Sequence, residues 1–379
     1  MHNLEEIRNA RSSRRAFLVG LVLPGQPGYV VEEHLDELAQ LADTAGARIV
    51  GRAVQSRKTP DPATYIGRGK AEEIAGQARE LGADLLIFDD DLSGSQVKNL
   101  EELSKLAVMD RSALILDIFD LRAQSREART QVDLARLKYM LPRLTRQWSH
   151  LSRQGGGVGQ RGGEGESQLE QDRRVLRARV RQLEQELEKS ERTRGVQRRG
   201  RHGVPSVALT GYTNAGKSTL FNRLTAAGTL AENRLFATLD AKLRRGSVDG
   251  HRTAVFADTV GFIRKLPHHL VSSFRSTLGE ITAADLVLHV IDRSHPRWQE
   301  QEQVAEAVMD ELGVDRERVV KVFNKSDLVP ADVPHDGGAI WVSAETGEGI
   351  PELKAELARR LGLGPAALTS PVETAPGLA

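Results

Sequence analysis

The segment Gly211-Tyr-Thr-Asn-Ala-Gly-Lys-Ser218 constrains the fold more than any other, because it stands directly between an apolar run and an amphipathic stretch. The run Val204 to Leu209 predicts a buried strand, and residues Thr219 to Leu224 predict a helix. Gly211 and Gly216 allow the backbone to wrap around an anion, so that successive N–H groups and the helix N-terminus point at it. The sequence therefore predicts a phosphate loop in an α/β domain.

The predicted phosphate loop carries two side chains with a specific chemistry. Lys217 places a positive charge beside the β- and γ-phosphates of a nucleotide, and the hydroxyl of Ser218 is an expected ligand of Mg²⁺. We expect nucleotide contacts from the whole segment and its neighbour: Gly211, Tyr212, Thr213, Asn214, Ala215, Gly216, Lys217, Ser218 and Thr219. A phosphate loop does not distinguish ATP from GTP, so the base must be recognised elsewhere.

The element that predicts guanine is Asn324-Lys-Ser-Asp327, which follows the apolar run Val319 to Phe323 at the carboxyl edge of the predicted sheet. The carboxylate of Asp327 can accept two parallel hydrogen bonds, from the N1–H and the exocyclic amine that guanine has and adenine lacks. Adenine would leave a buried carboxylate unpaired, which is a strong form of rejection. The expected base contacts are Asn324, which ties this loop to the phosphate loop, Lys325, which covers the base, and Ser326, Asp327, Ser343, Ala344 and Glu345.

Two segments between these motifs are expected to sense the γ-phosphate. Asp258 follows a predicted strand and would lie near the Mg²⁺ water shell, with the N–H of Gly261 near the γ-phosphate. Thr238 is the threonine of its stretch that can offer a second hydroxyl to Mg²⁺; a plain turn or N-cap residue is the alternative. The expected catalytic residues are Lys217, Thr238 and Gly261. The expected metal ligands are Ser218 and Thr238, with Asp258 acting through water. The expected nucleotide contacts of these two segments are Phe236, Ala237, Thr238, Leu239, Asp240, Asp258, Thr259, Val260 and Gly261.

The chain before the phosphate loop has two parts of different character. From Ala16 to about Asp120, short apolar runs alternate with amphipathic stretches, which favours a small α/β domain with a mostly parallel sheet. Residues 122–201 hold 20 Lys and Arg against 10 Asp and Glu, a local net charge of +10 in a chain of net charge +1. Two apolar stripes at helical spacing flank a break with seven glycines in eleven residues, Gly155 to Gly165, which predicts an antiparallel helical hairpin. The stripes are Leu134, Leu137, Leu141 and Leu144 before the break and Leu176, Val180, Leu183 and Leu187 after it. A solvated helix surface would explain its arginines, but the excess of one sign favours a face that binds a polyanion.

The predicted fold class is α/β: a P-loop domain with a mixed, mostly parallel sheet, preceded by a smaller N-terminal α/β domain and an antiparallel helical hairpin. The predicted boundaries are 1–121 for the N-terminal domain, 122–200 for the hairpin, 201–362 for the nucleotide-binding domain and 363–379 for a tail without fixed structure. The chain has no cysteine and no apolar run of the roughly 18 residues that a spanning helix needs. We therefore expect a cytoplasmic protein without disulfides or a membrane span.

Several segments resemble the HflX family of ribosome-associated GTPases. They are Tyr65-Ile-Gly-Arg-Gly-Lys70, Asp110-Arg111 with Leu114 to Phe119, Tyr139-Met-Leu-Pro-Arg143, Leu151-Ser-Arg-Gln-Gly-Gly-Gly157, and Gly261 to Ile263 with Leu266-Pro267. The resemblance covers about residues 16–361. It implies a protein that binds GTP and GDP and associates with the large ribosomal subunit and its RNA, with a role in splitting or rescuing stalled ribosomes. On the ribosome the protein is expected to be a monomer. It also implies RNA contacts from the glycine-rich tip: Arg153, Gln154, Gly155, Gly156, Gly157 and Arg161.

One residue departs from the pattern of many signalling GTPases. In those proteins a water-orienting glutamine directly follows the glycine of the Asp-x-x-Gly motif, which is Asp258 to Gly261 here. This chain has Phe262 there, and a phenyl ring cannot hold the attacking water. We therefore expect slow hydrolysis alone, with the missing group supplied by the ribosome or by a cation. Asn214 resembles the asparagine with which some related GTPases hold K⁺; an asparagine chosen for loop geometry is the alternative.

Two other functions stay open at this stage. One is a module that binds ribosomal RNA and uses GTP mainly as a structural switch, because Phe262 replaces the water-orienting group. The other is a GTPase that assists the modification of transfer RNA, which would also use Asn214 and these loops. Stimulation of GTP turnover by ribosomes would separate the first alternative from a ribosome-dependent enzyme.

Overall fold

The computed structural model describes residues 14–144, 165–199, 203–226, 235–249, 252–267, 270, 273–330, 332–334 and 338–363. The predicted RNA-contacting tip and the predicted tail from residue 364 onward lie outside these residues. By its contacts the chain forms two compact units. The first unit comprises Met1–Gly200, Glu232–Asp240 and Ile263–Gly279, and the second comprises Arg201–Ala231, Ala241–Phe262 and Glu280–Ala379. The domain boundaries predicted from the sequence stay a prediction.

The first unit contains a four-stranded sheet with helices between its strands. Its elements are β1 (Arg15–Val22), α1 (Gly28–Thr44), β2 (Arg48–Ser56), α2 (Arg68–Glu80), β3 (Leu85–Phe88), α3 (Gly94–Ser104), β4 (Ala107–Asp110), α4 (Arg111–Arg122), α5 (Arg126–Met140) and α6 (Gly165–Arg199). The strand order is β2-β1-β3-β4, and every pair is parallel. The predicted parallel α/β sheet is confirmed. Parallel strands need crossover connections, which helices supply here.

The core of this sheet comes from the apolar runs seen in the sequence. Phe17, Val19 and Leu21 alternate along β1 and pack with Ile74 of α2 and Phe88 of β3. Such alternation buries one face of the strand against the helices. The apolar runs that predicted strands β1 and β3 are thus the runs that fill the interior.

The helical hairpin is built from α5 and α6. Leu134 of α5 packs with Leu183 and Leu187 of α6, and Leu137 and Val180 lie at the margin of the same cluster. The first stripe was predicted to continue to Leu144, and this part of the prediction is wrong. The helix ends at Met140 and a 3₁₀ turn, Leu141–Arg143, follows, because Pro142 has no N–H to continue the helical bonds.

The second unit contains a six-stranded sheet. Its elements are β5 (Ser206–Thr210), α7 (Lys217–Thr225), β6 (Lys242–Ser247), β7 (Thr253–Asp258), β8 (Leu286–Asp292), α9 (Trp298–Glu311), β9 (Val319–Asn324), β10 (Ile340–Trp341) and α10 (Ile350–Arg360), while α8 (Arg275–Ala283) spans the boundary between the units. The strand order is β10-β9-β8-β5-β7-β6. Only β6 is antiparallel to its neighbour, so the predicted mixed, mostly parallel sheet is confirmed.

The order of these strands positions the nucleotide-site motifs. Strands β5, β7, β8 and β9 are parallel neighbours, so their carboxyl ends meet at one edge of the sheet. One predicted motif begins at Gly211, directly after β5, and the other two begin at Asp258 and Asn324, the last residues of β7 and β9. The fold therefore places loops that are more than 100 residues apart in sequence at the edge where open α/β sheets bind ligands.

Candidate functional site

The loop from β5 to α7 has a backbone that requires glycine at its end. Gly216 has φ 88° and is the N-cap of α7, and a Cβ there would collide with the side-chain amide of Asn324. Asn214 also has a positive φ, 62°, which asparagine tolerates better than most residues. The loop thus turns sharply into the N-terminus of α7, where helical N–H groups favour an anion.

Lys217 lies inside this loop. Its side chain is buried, and its Nζ donates hydrogen bonds to the carbonyl oxygens of Tyr212 at 2.7 Å and Gly211 at 3.2 Å. Burial lowers the pKa of Lys217 to about 8, while the nearby carboxylate of Asp258 acts in the opposite direction. The hydrogen-bond partners of the ammonium are neutral carbonyls, so its charge is available to an anion held by the loop.

Ser218 and Asp258 bring two oxygen donors together. The Ser218 hydroxyl donates a 2.8 Å hydrogen bond to Oδ2 of Asp258, which is fully buried at the end of β7. A hydroxyl and a carboxylate beside a phosphate loop match the oxygen ligands that Mg²⁺ takes together with nucleotide phosphates and water. This pair of side chains therefore fits Mg²⁺.

The segment after β7 lies directly against the phosphate loop. The Thr213 N–H donates to the carbonyl of Phe262 at 2.7 Å, and the Phe262 N–H donates to the carbonyl of Gly211 at 3.0 Å. A Cβ at Gly261 would lie 2.9 Å from the backbone Cα of Thr213 and 2.7 Å from Nζ of Lys217, and the backbone contact leaves room only for glycine. The side chain of Phe262 is buried. The predicted γ-phosphate sensor Gly261 and the predicted phosphate-binding Lys217 are thus brought together.

Asn324 joins three loops of the site. Its Nδ2 donates to the carbonyl of Ala215 at 2.8 Å, and its Oδ1 accepts the N–H of Ala344 at 3.0 Å. One amide side chain is therefore bonded to both the phosphate loop and the loop at Ser343 to Glu345. The expectation that Asn324 ties its loop to the phosphate loop agrees with this geometry.

Two residues of the site were not singled out in the sequence. Arg223 of α7 donates to the carbonyls of Ala344, at 3.1 Å, and Glu345, which holds that loop against the helix. Asp292 ends β8 and accepts a hydrogen bond from Nζ of Lys325 at 2.6 Å. No local pattern marks Arg223, but an acid directly after a buried strand at the carboxyl edge is a signal that could have pointed to Asp292.

The remaining predicted base residues lie around Lys325. Lys325 has φ 61°, and the short 3₁₀ turn that follows, Ser326–Leu328, carries Asp327 in an exposed position. The Ser326 N–H donates to the carbonyl of Val342 at 3.1 Å, so this turn is anchored beside β10. The carboxylate of Asp327 therefore lies on a turn whose first residue is anchored to Val342.

The segment with Thr238 belongs to the first unit. Phe236 stacks edge-on against Phe119 of α4 with ring centroids 4.8 Å apart, and Asp240 accepts the N–H groups of Gln124 and Ser125 at 3.1 and 3.2 Å. Thr238 itself is buried. The metal-binding role expected for Thr238 stays a prediction.

Three family models match successive parts of the chain. A model described as "GTP-binding GTPase N-terminal" matches residues 32–120, and one described as "GTP-binding GTPase Middle Region" matches residues 122–201. A third, described as "50S ribosome-binding GTPase", matches residues 206–325, which include the phosphate loop and Asn324. Together with the geometry of the site, these matches define the chain as a P-loop GTPase.

Curated relatives identify the family. The chain is 46% identical over 338 residues to "GTPase HflX" of Escherichia coli, covering 87% of this chain and 79% of that protein. It is 45% identical over 356 residues to "GTPase HflX" of Magnetococcus marinus, covering 92% and 82%. The chain belongs to the HflX family of GTPases.

A solved structure agrees on the fold. The "crystal structure of SsGBP and GDP complex" aligns with a TM-score of 0.50 and 24% identity, covering 92% of this chain and 99% of that one. At this identity the likeness shows the fold alone. Among the residues that the structure describes, no helix is both long and apolar enough to span a membrane.

Proposed function

We propose that the second unit binds the phosphates and the base of GTP through three loops: the phosphate loop, the loop at Asn324 to Asp327 and the loop at Ser343 to Glu345. The amides of residues 211–219 and the ammonium of Lys217 hold the phosphates, and the carboxylate of Asp327 selects guanine. Lys325 and the loop at Ser343 to Glu345 hold the base. The observation that carries this proposal is the position of Asn324, whose side chain is bonded to the phosphate loop and to the third loop at once.

Mg²⁺ is the proposed metal of this site. Ser218 would be a direct ligand and Asp258 would act through water, which the 2.8 Å hydrogen bond between the two side chains supports. The ion would neutralise charge on the β- and γ-phosphates during hydrolysis. Thr238 would add a second hydroxyl and Gly261 would contact the γ-phosphate, so both segments would be ordered by GTP.

We propose slow hydrolysis of GTP by the isolated protein. The residue after Gly261 is Phe262, whose side chain is buried and has no group that could orient water. A K⁺ ion that Asn214 holds beside the phosphates is one replacement for the group that Phe262 lacks. The positive φ of Asn214 equally suits a role in loop geometry alone. Equal turnover in K⁺ and Na⁺ would remove the cation from the mechanism.

We further propose that the protein acts on the large ribosomal subunit, in the cytoplasm and as a single copy, to split or rescue stalled ribosomes. The support is the match of residues 206–325 to a "50S ribosome-binding GTPase" model and the net positive charge of the hairpin. The residues at the tip from Arg153 to Gly157, with Arg161, would contact ribosomal RNA. Phosphodiester backbones attract such a surface regardless of sequence.

Sedimentation of the full chain with purified large subunits tests this proposal. We expect co-sedimentation with GTP and with a non-hydrolysable GTP analogue, weaker binding with GDP, and a rise in GTP turnover when subunits are added. Binding without any rise in turnover would favour the module that uses GTP only as a structural switch. Absence of binding in every nucleotide state would contradict the ribosomal function while leaving the GTP site untouched.

A further inference from the structure

Strand β6 carries an unusual concentration of positive charge. Its sequence is Lys-Leu-Arg-Arg-Gly-Ser, with three cations and no acid in six residues. The side chains of Lys242, Arg244 and Arg245 are all exposed. The strand also lies at one end of the sheet order, and among the residues that the structure describes it forms ladder bonds only with β7.

The cations of β6 differ from most others in the second unit by their lack of partners. Several other arginines and lysines of that unit pair with carboxylates, as in Arg316 with Asp310, Lys321 with Glu302 and Arg360 with Glu356. Lys217 and Arg223 instead donate to backbone carbonyls. Within the part of the chain that the structure describes, Lys242, Arg244 and Arg245 form no ion pair and no side-chain hydrogen bond. Their charge is therefore directed at solvent or at an external partner.

The arrangement of the three cations follows from the pleat of the strand. Lys242 and Arg244 are two residues apart and share a face, and Arg245 lies on the opposite face. Two residues along a strand span roughly 7 Å, which is the scale of the separation between neighbouring phosphates in a nucleic-acid strand. The cations flank the outer edge of β6 from both sides, where a strand also offers backbone N–H groups to phosphate oxygens.

We propose that the outer edge of β6 binds the phosphodiester backbone of ribosomal RNA, as a contact separate from the helical hairpin. This inference rests on the proposed action on the large ribosomal subunit and adds a second place where RNA is held. Lys242, Arg244 and Arg245 act by neutralising phosphates and releasing their counterions, so the contact reads no base sequence.

The test compares two triple variants of the full chain that lose the same charge. The first variant is Lys242→Gln with Arg244→Gln and Arg245→Gln. The control is Arg316→Gln with Lys354→Gln and Arg359→Gln, three positions on or next to elements β9 and α10, which lie toward the other end of the sheet order. Binding to purified large subunits is measured with a non-hydrolysable GTP analogue over a series of KCl concentrations.

We expect the β6 variant to lower the slope of log affinity against log salt by about 2 to 3, because each lost phosphate contact removes about 0.7 to 0.9 from that slope. At low salt the dissociation constant should rise between about 10-fold and 100-fold. The control should change the dissociation constant by less than about threefold and leave the slope as in the wild type. Affinity for GTP, measured without ribosomes, should be the same in all three proteins and shows that each is folded.

Two results would overturn this inference. One is an identical salt slope for the β6 variant and the control. The other is self-association of the β6 variant with unchanged affinity for subunits, which would mean that the cations serve only to keep an exposed strand edge from pairing with another copy. A wild-type protein that fails to bind subunits at all would instead contradict the proposed function, so the two failures are distinguishable.

Discussion

The two parallel sheets of the molecule use their carboxyl edges differently. In the first unit, the buried acids Asp89 and Asp110 follow β3 and end β4, and the chain's own cations fill the edge. Lys265 lies 2.6 Å from Asp89, and Arg143 lies 2.9 Å from Asp110. In the second unit the edge carries Lys217, whose hydrogen-bond partners are carbonyls.

This difference in charge compensation distinguishes the edge in the first unit, which is closed by internal ion pairs, from the edge in the second unit, which can accept an anionic ligand. Burial raises the pKa of both Asp89 and Asp110, and neighbouring cations oppose this shift. The chain thus satisfies these acids internally and ties its segments together. At the phosphate loop the hydrogen-bond partners of the Lys217 ammonium are neutral carbonyls and Asp258 is the nearby acid, so its charge can still attract an anionic ligand.

Replacement of Lys217 should have the largest effect on function. Lys217→Met should weaken GTP and GDP binding by at least about 100-fold, since charge-assisted hydrogen bonds to phosphate contribute about 1.5 to 3 kcal/mol each. Isothermal titration calorimetry measures this loss. The nucleotide-free variant should also be slightly more stable than the wild type, because an ammonium with a pKa of about 8 is unfavourably buried. A variant that keeps wild-type affinity would contradict the phosphate-binding role.

The matching test of the first sheet is Asp110→Ala. Asp110 accepts hydrogen bonds from Tyr139, Arg143 and the N–H groups of Leu92 and Ala113. Its removal takes the carboxylate from the partly buried guanidinium of Arg143 and leaves the Tyr139 hydroxyl and two N–H groups without their acceptor. These losses together should lower the free energy of unfolding by about 3 to 5 kcal/mol. Urea unfolding measures this change.

Asp110→Ala also sharpens the comparison between the two edges. Under conditions where the variant stays folded, its affinity for GTP should remain within about threefold of the wild type. A large loss of affinity with little loss of stability would mean that the first edge is itself part of the nucleotide site.

How far the sequence predicted these two edges depends on whether the signal is local. The phosphate loop and Asn324-Lys-Ser-Asp327 were found because each combines a buried strand with turn residues over a few consecutive positions. The contact of Arg223 with the carbonyl of Ala344 joins residues 121 apart, and no periodicity encodes such a pair. The same holds for the ion pair between Asp110 and Arg143. In the sequence these two residues were singled out only because each lies in a segment that resembles the HflX family.

A short strand was also missed where its residues are only partly buried. Strand β4, Ala107–Asp110, is as short as β3, but it ends in an acid and is partly exposed, whereas β3 is a fully buried apolar run that the pattern does reveal. The end of α5 was misplaced because Leu141 and Leu144 keep helical spacing past Pro142, and the missing N–H of that proline decided the outcome. Periodicity therefore located the core well and the ends of elements less well.

His289 permits a test of the interior of the second sheet through pH. It lies in the middle of β8, is buried, and neither ring nitrogen has a hydrogen-bond partner among the described residues. Burial lowers its pKa to about 4, opposed by Glu306 of α9 and reinforced by Lys321, Arg316 and Lys217. The unfolded chain therefore takes up the proton first as the pH falls, and the folded state loses stability between about pH 6.5 and pH 4.

The expected size of this effect is about 3 kcal/mol over that window, since one pKa unit corresponds to about 1.4 kcal/mol. His289→Leu should remove this part of the acid sensitivity, which urea unfolding at pH 7 and pH 4.5 measures. His289→Gln is the control, because it also cannot titrate but stays polar and should be less stable than the leucine variant at pH 7. Equal pH dependence in the wild type and both variants would show that the ring is not held neutral.

The smallest expected effect concerns Asp292, and it tests whether the second edge is arranged around the base as well as the phosphates. Both carboxylate oxygens of Asp292 are used, one by Nζ of Lys325 and the other by the N–H and hydroxyl of Ser294. Asp292→Asn keeps the shape and removes the charge that orients Lys325. GTP affinity should then fall by about 3-fold to 10-fold, in line with about 1 kcal/mol for one charge-assisted contact that is partly exposed.

A ligand without a base distinguishes two roles of Asp292: positioning Lys325 and supporting the whole carboxyl edge of the sheet. Pyrophosphate has no base for Lys325 to hold, so Asp292→Asn should bind it as the wild type does. The double variant with Lys325→Met should lose no more GTP affinity than Lys325→Met alone, since Asp292 would act only through that lysine. Equal losses for GTP and pyrophosphate would instead mean that Asp292 supports the whole carboxyl edge, which would bring this edge closer in character to the internally paired edge of the first sheet.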